Sequence, residues 1–199
     1  MIKVAITGGI GSGKSTVCKM FEKHFNIPVY YADSRAKYLM NHSKSLKKEI
    51  KELFGFEVYH RNGKLNRAHL ASIIFTDKSV LLKLNKLVHP AVYADAEHWF
   101  SSLKNIPYAL KESALLFESK GDKYVDKVIV VHCDNEERIR RVMKRDDLNR
   151  KEVLNRINKQ MPQKDKMKKA DYLIDNYSRA ELKTQVNKIH QNLISLEGK

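Results

Sequence analysis

The sequence predicts a three-layer α/β fold, a five-stranded parallel sheet with helices on both faces. Three observations carry this: a strand–turn–helix–strand unit opens the chain, a long helical stretch interrupts the pattern, and strand–helix alternation then resumes. Ile2–Thr7 is apolar enough for a strand buried on both faces. From about Lys14, the residues Val17, Met20, Phe21, His24 and Phe25 recur at helical spacing, and Ile27-Pro28 ends that helix. Val29–Ala32 reads as the second strand and stops at Asp33. A unit of this length suits one right-handed crossover.

About 75 residues follow, more than a crossover helix needs. Leu46, Ile50 and Leu53 mark one amphipathic stretch, Leu70, Ile73 and Ile74 a second, and Leu81, Leu84, Leu87 and Val88 a third. Pro90 reads as a first-turn proline opening a fourth, with Val92, Ala96 and Trp99 on its face. Asn62-Gly63 is a turn signal between them. Residues 34–103 are expected to form a helical insertion on the rim of the sheet, without a core of its own.

Tyr108–Leu116 is the expected third strand and Lys127–Cys133 the fourth. Asp134 with Glu137 resembles a capping box for a helix over 135–146. A turn at Asp147–Asn149 leads to a second helix ending at Pro162; Tyr172–Ile174 is a short fifth strand. Ser178-x-x-Glu181 caps the last helix, whose face is Leu182, Val186, Ile189 and Leu193. Residues 1–33, 104–133 and 170–199 then make the sheet domain, and 134–169 a helical lid.

Composition fits a globular protein, with 42% hydrophobic and 31% charged residues. No apolar run approaches the roughly 20 residues of a membrane span, and the chain starts at once on a strand, without a signal-type apolar region. The expectation is a cytoplasmic protein with no membrane partner, a monomer or weak homo-oligomer. Cys18 and Cys133 read as small core hydrophobes, and the eight histidines show no metal-ligand spacing. The net charge of +15 suits either nucleic acid or small polyphosphates. The lysines are dispersed through helices and no nucleic-acid module accompanies them, so no stable nucleic-acid partner is expected.

The turn after the first strand is specific. Gly8, four residues, Gly13-Lys14-Ser15 is the Walker A phosphate-loop pattern, set between a buried strand and an amphipathic helix as that motif requires. Its backbone amides cradle phosphate oxygens, and the helix N-terminus adds its dipole. Lys14 reaches the β/γ-phosphates, and the Ser15 hydroxyl coordinates Mg²⁺. No Asn-Lys-x-Asp base-reading motif follows, as a common GTPase would need. The third and fourth strands do not end in the acidic cluster of a motor ATPase. Small size, an insertion and an Arg-bearing helical hairpin favour a small-molecule kinase.

Asp33, at the carboxyl end of the second strand, lies beside the phosphate loop if the two strands are neighbours. There it either orients an acceptor hydroxyl or caps the helix beginning at Ser34. Arg138, Arg141 and Arg145 fall within about 60° of helix arc. They read equally as a phosphoryl-binding set or as a solvated charged face. Arg156 and Gln160 share a face of the next helix. His89 is a lone histidine, more often structural than functional.

Taken together, Thr7–Ser15, Ala32-Asp33, His89-Pro90, Leu115-Leu116-Phe117-Glu118, Arg141–Asp146, Arg156-Ile157 with Gln160, and Ala170–Asn176 resemble the dephospho-CoA kinase family along nearly the whole chain. The resemblance implies transfer of the ATP γ-phosphoryl to the ribose 3′-hydroxyl of dephospho-CoA. It implies that Gly11, Ser12, Gly13, Lys14, Ser15 and Thr16 bind ATP phosphates and that Asp33 faces the acceptor hydroxyl. Lys37, His89 and Glu118 would line the dephospho-CoA site, Arg141 and Arg145 act as lid arginines, and Asn176 joins the adenine pocket. Tyr31, Lys37 and Ala114 stand where the family often has aspartate, arginine and proline.

Overall fold

The computed structural model describes residues 1–76 and 78–197; Asp77 within the expected insertion and the last two residues of the expected sheet domain lie outside the described residues. Five strands form one parallel sheet: β1 (Ile2–Thr7), β2 (Val29–Tyr31), β3 (Tyr108–Glu112), β4 (Lys127–His132) and β5 (Tyr172–Asp175), in the order β2-β3-β1-β4-β5. Residues alternate sides along each strand, and in the central strands β1, β3 and β4 both sides are buried. Val4, Ile6, Ile129 and Val131 pack with Val17, Cys18 and Phe21 of α1 (Lys14–Phe25) and with Leu182, Val186, Ile189 and Leu193 of α9 (Arg179–Glu197). Ala5, Val128 and Val130 face the other way, against Leu116, Phe117, Met161 and Met167. Two buried faces are why these strands read as unbroken apolar runs.

Several boundaries move. α1 ends where Asn26 turns left-handed (φ 53°), its N–H bonding back to Glu22 while that of Ile27 reaches Phe21. β3 stops at Glu112, four residues short of the expected end, because Leu115–Gly121 fold into turns closed by Ser119, Lys120 and Gly121 amides. Asp134 caps α6 (Asn135–Asp146) by accepting from Glu136 N–H at 2.8 Å, but Glu137 does not complete a box; its carboxylate takes Arg140 and Arg141 instead. The reciprocal box is at Asn149 and Glu152, opening α7 (Arg150–Asn158). Pro162 does not end that helix; it opens the short α8 (Gln163–Met167). Ser178 Oγ accepts from Glu181 N–H at the start of α9, as expected.

The chain divides into two compact units, one of residues Met1–Tyr31 with Phe100–Lys199 and one of residues Ala32–Trp99. The second contains α2 (Ala32–His42), α3 (Lys44–Phe54), a 3-10 turn at Phe56–Val58, α4 (Arg67–Thr76) and most of α5 (Lys78–Ser102). Leu46, Ile50 and Val58 are buried where α3 meets the 3-10 turn, so this unit has a core that the sequence reading did not give it. Pro90 does not start a helix but lies inside α5. Proline forfeits one backbone bond, and the stripe Leu84, Val88, Val92 and Ala96, all buried, carries the helix across it.

Candidate active site

The carboxyl edge of the sheet gathers the polar groups. β1 delivers the loop Gly8–Gly13. Gly13 ends it in a left-handed conformation (φ 96°), and a Cβ there would come within 2.0 Å of the Asn176 amide nitrogen, so only glycine fits. Lys14, buried, folds back over the loop and donates to the carbonyls of Gly8 (3.2 Å) and Gly9 (3.4 Å). Ser15 and Thr16 are exposed in the first turn of α1. Ser12 Oγ is buried within the loop with no hydrogen-bond partner among the described residues.

The loop is held from several directions. Asn176, following β5, donates its side-chain amide to Ser12 O at 2.8 Å. Ile10 of the loop packs into the apolar cluster of Ile139, Val142 and Val153 between α6 and α7. Its N–H donates to Gln160 Oε1 at 2.8 Å, and its carbonyl accepts from Arg138 Nε at 2.9 Å.

Arg138, Arg141 and Arg145 of α6, alike in spacing, part company. Arg138 is buried behind the loop. Arg141 donates to Glu137 Oε1 (2.7 Å) and to Asn176 O (3.4 Å), bringing its guanidinium to the flank of Gly13. Arg145 points away and grips Asp146 with two bonds of 2.7 and 3.0 Å; Asp146 also takes Arg156. The arginine bonds, those of Arg140 first, pull Glu137 down to about 2, and Arg145 holds Asp146 below the usual carboxylate range.

Strand order corrects one expectation. β1 and β2 are not neighbours; β3 lies between them, with Glu112 in register with both Ile6 and Tyr31. Asp33 therefore follows a strand one removed from the phosphate loop, in the first turn of α2. The carboxylate ending the adjacent strand is Glu112, which is buried. Sequence reading missed it by running β3 on to Leu116. The charges of Glu112 and Lys14 both act on Cys18, whose thiol burial pushes up.

Glu118 is engaged through one oxygen: its Oε1 accepts from Met161 N–H and from Nζ of the completely buried Lys166, each at 2.8 Å. In the helical unit, Lys37 lies on α2 and His89 on α5, its ring 6.3 Å from that of Tyr93. Arg35, two residues after Asp33 on α2 and not singled out by the sequence, makes a two-pronged pair with Asp95 (2.9 and 2.6 Å).

A glycine-rich loop between a central parallel strand and a helix, with a lysine folded over it and arginines on its flank, defines a P-loop phosphotransferase. The chain belongs to the dephospho-CoA kinase family, whose model matches residues 2–181. A dephospho-CoA kinase of Bacillus cereus is 38% identical over 194 residues, covering 96% of each chain. A crystal structure from Thermus thermophilus superposes with TM-score 0.84 at 34% identity, covering 96% of both chains. The dephospho-CoA kinase from Campylobacter jejuni gives 0.72 at 26%, covering 97% of both.

Proposed function

We infer that this chain transfers the γ-phosphoryl of ATP to the ribose 3′-hydroxyl of dephospho-CoA, yielding coenzyme A and ADP, the last step of coenzyme A synthesis. The family match over residues 2–181 carries this reading, and the loop geometry is consistent with it. Gly11, Ser12, Gly13, Lys14, Ser15 and Thr16 are assigned to the ATP phosphates. Lys14 neutralises charge as it builds on the leaving oxygen, and Arg141 does so from the flank of Gly13. Arg145 is assigned the same task after exchanging Asp146 for the nucleotide. Asn176, bonded to Ser12, orders the loop beside the adenine site.

On the acceptor side, Asp33 orients the 3′-hydroxyl and accepts its proton as the new oxygen–phosphorus bond forms and the bond to the bridging oxygen breaks. Residues 34–103, with Lys37 and His89, are assigned to dephospho-CoA and residues 134–169 to a lid. Glu118 supports that site through Lys166. The donors suited to Mg²⁺ are the Ser15 hydroxyl and the Glu112 carboxylate, both hard oxygens. Bound there, Mg²⁺ supplies charge neutralisation on the phosphate oxygens.

Among the described residues no helix is long and apolar enough to cross a membrane; a cytoplasmic monomer or weak oligomer is our reading. Coupled ADP release tests the substrate: dephospho-CoA should exceed every nucleoside and nucleoside monophosphate in a panel, and equal turnover on any of them overturns the assignment.

A further inference from the structure

Among the arginines of α6, Arg138 is the exception. Arg140 and Arg141 pair with Glu137 and Arg145 with Asp146, all partly exposed. Arg138 is 3% exposed and has no carboxylate partner among the described residues. Its Nε donates to Ile10 O (2.9 Å) and one Nη to Asn135 Oδ1 (2.8 Å). The other Nη lies against Gly9, where even a Cβ would come within 2.2 Å, so glycine is needed for the approach. Burying a guanidinium without a counter-charge is costly, and arginine does not escape the cost by giving up its proton.

The counter-charge belongs on the other side of the loop. A phosphate-cradling turn holds its anion with successive backbone amides. Arg138 holds the carbonyl of Ile10, while Gln160 fixes the N–H of the same residue. The bond polarises the peptide units and fixes their orientation. The buried charge stands one backbone layer from the cradle.

We propose that Arg138 is a positioning residue for the phosphate loop whose electrostatic partner is the polyphosphate of the bound nucleotide. Arg138 fixes the loop from behind and supplies a permanent positive charge without touching the ligand. The proposal rests on the reading of Gly8–Ser15 as the ATP phosphate site.

Calorimetric titration of the full chain with ATP, inorganic tripolyphosphate and adenosine tests it, alongside ligand-free thermal denaturation of wild type, Arg138→Gln and Arg138→Lys. Arg138→Gln should weaken ATP and tripolyphosphate about tenfold, leave adenosine within about twofold, and not lower the ligand-free Tm, because a costly buried charge is gone. Arg138→Lys, keeping the charge, should recover most of the loss. Tripolyphosphate binding as tight in Arg138→Gln as in wild type overturns the proposal, whatever happens to Tm. So does an Arg138→Lys protein as weak as Arg138→Gln, which would reduce the residue to its Ile10 hydrogen bond. If Arg138→Gln does not fold, Arg138→Lys decides alone: near-wild-type affinity is expected, and a loss of about tenfold overturns it. Wild-type protein that fails to bind tripolyphosphate sinks the loop assignment itself, and the proposal with it.

Discussion

The surroundings of the phosphate loop and the outer end of the α6–α7 hairpin hold the same residue types in opposite circumstances. At the loop, the ammonium of Lys14 and the guanidinium of Arg138 are buried and donate to backbone carbonyls of the loop. At the outer end, Arg145 and Arg156 are 61% and 49% exposed and share Asp146. Inside, cations are held by carbonyls of the loop, and Arg138 has no carboxylate partner among the described residues. Outside, they share a carboxylate in water, where such pairs contribute little. Spacing along one helix is therefore no guide to role; what faces each side chain is.

Six substitutions would break or sharpen that contrast. Lys14→Ala should lower kcat by about 10³-fold, since a preorganised charge at the transferring phosphoryl is lost, with the fold intact by circular dichroism. Turnover near wild type would show the loop-side cations to be ordinary surface charge. Glu118→Gln should cost about 3 kcal/mol in urea unfolding, because Lys166 is left buried without its carboxylate; Lys166→Met on that background should restore most of it. Arg141→Gln should reduce kcat about thirtyfold, against about tenfold for Arg145→Gln. Equal losses would mean that the pairing with Asp146 says nothing of Arg145 during turnover. Asp146→Asn should move stability by less than about 1 kcal/mol.

Acid offers a smaller test. In the fold the guanidinium groups of Arg140 and Arg141 pull the pKa of Glu137 down to about 2, from the usual glutamate value of 4.5. Its stabilising effect is thus complete above about pH 4.5 and lost as pH falls toward 2. Glu137→Gln should flatten the fall of Tm across that window.

Much of the site was legible because its chemistry is local. The loop from Gly8 to Ser15 needs a strand before it, a helix after it and glycine at Gly13, and all three are written in consecutive residues. Glu112 was not legible: its meaning depends on β3 lying between β1 and β2, a pairing across more than a hundred residues. Lys166 was not singled out among the dispersed lysines, yet it is fully buried on Glu118. Pro90 read as a helix start because proline favours the first turn, but burial on both sides of it outweighed one missing bond.

By itself, then, the sequence determined the strands, the helices and the phosphate-gripping turn, since each depends on periodicity and on backbone angles set within a few residues. The tertiary structure alone decided strand order, and with it which carboxylate stands beside the loop. It also assigned Arg138, Arg141 and Arg145 of α6 to the back of the loop, its flank and the solvent. Those outcomes depend on burial and on partners distant in sequence, and no local pattern encodes either.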